Sequence, residues 1–100
     1  LKKLDAYNNS KIKNINHLTY LKELDCAYEC GISDDGIKEL SNLTKLNARS
    51  NSKIKNINHL TYLKELDCSN SCGVSDDDIR GLVKLKKLYA VYNSKITIII

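Results

Sequence analysis

The stretch NSKIKNINHLTYLKELDC occurs twice with all eighteen letters unchanged, at residues 9–26 and again at 51–68. A duplication of this kind restricts the fold more than any composition does. Two identical segments need two equivalent environments, which a stack of repeating units supplies and a single irregular core does not. The offset from residue 9 to residue 51 sets a period of 42, and a second start lies inside it. Segments open at Leu1, Leu21, Leu43, Leu63 and Leu85, with spacings alternating between 20 and 22 residues. Their opening phrases are LKKLDA, LKELDC, LTKLNA, LKELDC and LKKLYA, which reduce to L-x-x-L-x-(A/C) every time.

A 42-residue period would also suit paired-helix solenoids or propeller blades, but the half-period excludes them. Leu4 and Ala6, or Leu24 and Cys26, alternate with polar neighbours as a strand does, whereas helical repeats need 3.6-residue spacing through two long segments. Over essentially all 100 residues the chain resembles the leucine-rich repeat family, whose phrase L-x-x-L-x-L-x-x-N/C-x-L is met by LTKLNARSNSKI, with Asn51 at the ninth place and Asn9 and Asn93 at the same place in their own repeats. The following apolar residue (Ile12, Ile54, Ile96) comes three places after the Asn instead of two, and the sixth place holds Ala or Cys instead of Leu. The long repeats, LKELDCAYECGISDDGIKELSN and LKELDCSNSCGVSDDDIRGLVK, are similar to the cysteine-containing class common in F-box proteins, although Cys30 and Cys72 sit one place late. The resemblance implies an α/β leucine-rich repeat solenoid forming a single array over 1–100. Its curved parallel β-sheet would form the inner face, and short helices, 3₁₀ turns or extended segments the outer face.

Stacking turns each repeat position into a ladder, with neighbouring strands about 4.8 Å apart. Leucines at the first and fourth positions and Ile12, Ile32, Ile54, Val74 and Ile96 after the turn are expected to form the core. The sixth position reads Ala6, Cys26, Ala48, Cys68, Ala90, so Cys26 and Cys68 read as small buried fillers. Two strand steps of roughly 10 Å between them exceed the reach of a disulfide and of one shared zinc ion. In GISDDGIKEL and GVSDDDIRGL, Ser33 and Ser75 are placed to cap short helices whose first turns carry aspartates. Consecutive Asp76, Asp77 and Asp78 lack the alternation of a calcium loop. The short repeats' KIKNINHLTY is expected to be extended or 3₁₀.

The chain carries 16 Lys+Arg against 12 Asp+Glu, a net +4, far short of a nucleic-acid-binding arm. The richness in Lys, Asn and Ile, with no Pro, Phe, Met or Trp, is what AT-rich codons produce without selection on the protein. The longest apolar run, Ile98 to Ile100, cannot span a bilayer. His17 and His59 recur on the outer return, away from Asp25 and Asp67 on the strands, so no catalytic triad is available. No phosphate-binding glycine loop is present. No metal ligand set or cofactor is expected, and neither is enzymatic activity. Sequons at Asn8 and Asn42 arise readily in an Asn-rich chain. With no signal peptide visible, the thiols are expected to be reduced and the protein cytoplasmic.

On the inner face the third position reads Lys3, Glu23, Lys45, Glu65, Lys87, which predicts a ladder of cross-strand ion pairs. The second position is basic and the fifth mostly acidic. Positions seven and eight are the least uniform, and Tyr and Arg are enriched at interface hot spots, so Tyr7, Tyr28, Arg49, Tyr89 and Tyr92 are the candidate partner-binding residues. The expected function is a protein-interaction scaffold binding on its inner face. As the family resemblance suggests, that fits the substrate-reading part of a ubiquitin-ligase adaptor. The other reading is a weakly basic binder of nucleic acid or another anionic ligand. Because the chain opens on Leu1 and ends in ITIII, a slice of a longer array is expected, with end-to-end self-association through the uncapped ladders and through a β-branched, uncharged segment.

Overall fold

The computed structural model describes residues 1–98. Five short strands, β1 (Lys3–Asp5), β2 (Glu23–Asp25), β3 (Lys45–Asn47), β4 (Glu65–Asp67) and β5 (Lys87–Tyr89), form one parallel sheet in chain order. The register follows the repeat positions: Leu4, Leu24, Leu46, Leu66 and Leu88 are successive partners, flanked by the third and fifth positions of each repeat. The chain is thus a parallel β-solenoid that winds one return per strand. The leucine between two polar residues points inward, while its neighbours face solvent, as a pleat with period two requires.

The ladder runs past the strands. The N–H groups of Ala6, Cys26, Ala48 and Cys68 donate to Asp25, Asn47, Asp67 and Tyr89 of the next strand, and those of Asn8, Tyr28, Ser50 and Asn70 donate to Ala27, Arg49, Ser69 and Val91. The eighth residue of every repeat then turns the chain with a left-handed backbone: Asn8, Tyr28, Ser50, Asn70 and Tyr92 have φ between 55° and 64°. Asn tolerates this conformation, and a bulky residue occupies it at a cost.

Inside, Leu21, Leu43, Leu63, Leu24, Leu46, Leu66, Ile32, Ile54 and Val74 are buried, as are Ala6, Cys26, Ala48 and Cys68. At the open ends the same ladders are only partly covered, and Leu1 is 74% exposed. The returns add Ile15, Ile37, Leu40, Ile57, Leu60, Ile79 and Leu82 to the same core. Cys30 and Cys72 are buried and free, so the late cysteine still fills the interior; among the described residues all four cysteines are thiols. Burial pushes all four above the ordinary thiol value, Cys68 to about 12.

The long repeats form one-turn helices, α1 (Asp34–Ile37) and α2 (Asp76–Ile79), while the short repeats' returns are turns and irregular chain. The two serines differ. Ser33 makes no side-chain cap, whereas Ser75 caps α2 as expected through a capping box with Asp78, whose carboxylate accepts the Ser75 N–H and Oγ–H. The matching residue in α1 is Gly36, whose missing side chain lets the Lys13 carbonyl approach: a Cβ there would lie 2.0 Å from that oxygen. The leading aspartates reach forward to the next repeat. Asp34 Oδ1 accepts the N–H groups of Lys55 and Asn56, and Asp76 Oδ1 those of Thr97 and Ile98. The ITI of the final segment therefore repeats the path of the second short repeat instead of forming a free edge strand; Ile99 and Ile100 lie outside the described residues.

Candidate functional site

The exposed face of the sheet is built from the third, fifth and seventh positions. Its charges are organised by repeat pair. Lys3 Nζ lies 3.6 Å from Glu23 and Lys45 Nζ 3.5 Å from Glu65, each joining a short repeat to the long repeat after it. The in-register neighbours Glu23–Lys45 and Glu65–Lys87 do not close to ion-pair distance, so the expected continuous ladder is two separate pairs.

The fifth position is acidic or amide for a backbone reason. Asp5, Asn47 and Asp67 accept, through Oδ1, the N–H two residues on, and so does Asp25, to Ala27 at 3.1 Å. This side-chain turn holds the chain as it enters the left-handed residue. In the last repeat Tyr89 cannot do this, and Val91 N–H turns instead to the Ser69 hydroxyl.

Position seven varies by size. Ala27 and Ser69 are wholly buried between the larger Tyr7, Arg49 and Val91, so the variation read as contact surface is in part packing: each long repeat contributes a small residue that its neighbours cover. The five candidates divide accordingly. Tyr7 and Tyr28 come together, ring centroids 5.1 Å apart in an edge-to-face arrangement. Arg49 turns inward to Asp67, with Nη1 4.0 Å from Oδ2 and Nε buried without a partner. Tyr89 and Tyr92 are exposed at the far end of the sheet, three to four strand steps from the first pair, on the order of 15–20 Å.

Asp5 and Asp25, which the sequence showed only as members of an acidic position, stand directly opposite one another. Burial raises the Asp25 carboxyl above its ordinary value, and Asp5 and Asp67 push the same way against the hydrogen bonds from Ala27 and Asn47. A shallow depression of about 400 Å³ covers this part of the face. Elsewhere, His59 Nε2 lies 3.1 Å from the Ile37 carbonyl, binding one return to another, and His17 is exposed. Among the described residues no three His, Cys, Asp or Glu side chains are placed to hold a metal ion, and no helix is long and apolar enough to cross a membrane.

No model of a known protein family matches the chain, and no curated protein matches it.

Proposed function

We propose that this chain is a leucine-rich-repeat-type interaction scaffold, without catalytic activity of its own, that binds a protein partner on the exposed face of its sheet. The observation that carries this reading is where the two 42-residue copies diverge. The stretch 9–26 is identical in 51–68, and the third-position charges are kept as well, whereas three positions on or beside the face differ: Asp5 against Asn47, Tyr7 against Arg49, Tyr28 against Asn70. Stacking constrains the core positions to apolar residues, and these variable positions are free to acquire a partner's shape. The candidates Tyr7, Tyr28, Arg49, Tyr89 and Tyr92 belong to this reading, as does a cytoplasmic adaptor role of the ubiquitin-ligase type. Affinity capture from the source cell with this chain as bait tests it. A partner whose capture is lost on Tyr7→Ala and Tyr28→Ala supports it, and capture unaltered by substitutions anywhere on the face would remove it.

A second reading has its own observation. Lys22, Lys64, Lys84, Tyr62, Asn42 and Thr44 line a surface cavity of about 350 Å³ beside the strand starts, with Lys84 Nζ 4.5 Å from the Tyr62 ring. Lysines interleaved with an aromatic suit an anionic ligand such as single-stranded nucleic acid. Absence of oligonucleotide binding at low salt would dismiss it.

End-to-end association of the isolated 100 residues belongs here too, since the terminal ladders are open. Joining β5 to β1 in register would set Lys87 against Lys3, a like-charge pair. Association by this route therefore strengthens as salt screens the repulsion, which sedimentation at low and high ionic strength reads directly.

A further inference from the structure

The duplication provides an internal control for one location on the exposed face. In the second copy, the seventh-position residue of the short repeat is Arg49, and its guanidinium reaches the fifth-position Asp67 of the following strand. In the first copy the equivalent residues are Tyr7 and Asp25. Repeat equivalence places Tyr7 beside Asp25 as Arg49 stands beside Asp67, but no cation comes with it. The neighbouring fifth position is Asp5 in the first copy and Asn47 in the second. One copy thus supplies its own positive charge and carries one carboxylate, while the other carries two facing carboxylates and none.

Nearby lysines do not fill the gap. Lys3 and Lys45 are engaged with Glu23 and Glu65, and among the described residues neither Asp5 nor Asp25 belongs to an ion pair. The depression they line has Asp5, Asp25, Asn47, Lys3, Glu23 and Lys45 around it. Lys3 is paired with Glu23, and Lys45 with Glu65 just outside it, so the two carboxylates without an ion-pair partner are Asp5 and Asp25. Two residues beyond Asp5 along the chain, Tyr7 forms the aromatic pair with Tyr28.

We propose that this depression binds the guanidinium of an arginine side chain presented by a partner polypeptide, in the place that Arg49 fills from within the second copy. The inference rests on the reading of the exposed face as an interaction surface, and narrows its partner to a chain displaying an accessible arginine. A guanidinium is flat, permanently charged and carries five donors, so it can engage two carboxylates while stacking on a tyrosine ring. An ammonium is a compact, strongly hydrated point charge and does this less well.

The test titrates the 100-residue chain with a glycine-spaced diarginine pentapeptide and with its lysine and citrulline counterparts, citrulline being the neutral isostere of arginine. Proton NMR of the tyrosine rings reports occupancy. Saturable shifts of Tyr7 and Tyr28 are expected with the arginine peptide, several-fold weaker with lysine and absent with citrulline. Asp25→Asn and Asp5→Asn each weaken the arginine peptide by about tenfold, and Tyr7→Arg abolishes binding by installing an internal cation. Both Asn variants keep the Oδ1 acceptor that Asn47 already uses at this position, and cooperative circular dichroism melts with a Tm no lower than that of the unsubstituted chain would verify their folding. Equal binding of the arginine and citrulline peptides, or indifference to both Asn substitutions in folded protein, overturns the proposal. A natural partner captured through the face yet insensitive to Asp25→Asn removes this site and leaves the scaffold reading intact. Arginine-peptide binding that behaves as expected, while no captured partner depends on the face, removes the scaffold reading instead.

Discussion

Asn9 and Asn51 stand in identical eighteen-residue stretches, yet Asn9 is exposed and Asn51 is fully buried. Both accept, through Oδ1, the N–H two residues on, from Lys11 and Lys53. Only Asn51 also donates backwards, its Nδ2 reaching the Cys26 carbonyl at 2.8 Å and the Ile32 carbonyl at 3.0 Å in the preceding long repeat. Asn93 repeats the arrangement on Cys68 and Val74. Residues 1–98 place no strand before β1 for Asn9 to reach. Local sequence sets the turn, and the neighbouring repeat decides whether the same side chain is a decoration or a buried tie.

The sharpest way to break this comparison is to truncate the same leucine in both copies. Leu43→Ala should cost about 2–5 kcal/mol, as expected for a filled core position. Leu1→Ala, at a side chain mostly in water, should stay within about 0.5 kcal/mol; urea unfolding of the two variants measures both. If they cost the same, stacking is not what makes the second copy's core.

Asn51→Ala strands two buried carbonyls, each of which costs about 1–3 kcal/mol when left unpaired. Asn9→Ala removes one exposed turn contact and should cost little. Near-equal losses in denaturant midpoint would contradict the buried tie.

Two glycines of the long repeats sharpen the point at a smaller scale. Gly36→Ala drives a Cβ into the Lys13 carbonyl and should destabilise by about 1–3 kcal/mol. Gly81, also in a long repeat, has nothing within 4 Å of an added Cβ, so Gly81→Ala should be neutral or mildly stabilising. Thermal melts of both variants decide between a steric requirement and a general preference for glycine.

At the left-handed position, Tyr92 is 89% exposed, so Tyr92→Asn should stabilise by about 0.5–1 kcal/mol as strain is relieved. Tyr28→Asn relieves the same strain but also removes the ring contact with Tyr7, itself worth about 0.5–1.5 kcal/mol. No net gain is expected there, and a gain as large as that of Tyr92→Asn would show that the Tyr7–Tyr28 contact contributes nothing to stability.

The smallest effect is electrostatic. Asp25 has a raised carboxyl, so its ionisation in the fold opposes stability, and that penalty appears as pH rises through the folded value. Asp25→Asn should therefore raise Tm at pH 7 and lose the advantage in acid, below the ordinary carboxylate range. Asp76 has the opposite sign: hydrogen bonds from the Thr97 side chain and backbone, then Ile98, lower it, so its contribution is present at neutral pH and disappears as pH falls. A Tm gain from Asp25→Asn that persists unchanged into acid would refute the assignment.

Much of the solenoid was legible because every repeat states the same pattern. Period, strand positions, in-register leucines and buried sixth-position cysteines follow from alternation and exact recurrence, which local physics reads directly. The face was legible only as a set of residue types. That Tyr7 meets Tyr28, that Arg49 folds onto Asp67, and that Ala27 and Ser69 lie covered depend on side chains in adjacent turns roughly 20 residues apart in sequence. So does the second role of Asp34 and Asp76, which lie in the first helical turns as the sequence indicates and also hold the next repeat's backbone. A repeat unit's sequence encodes its own turn and inward face, whereas contacts between units arise from stacking distance and side-chain size across the ladder. Only the tertiary structure could therefore separate a buried asparagine from an exposed one and an ion-paired aspartate from an unpaired one within copies that read the same.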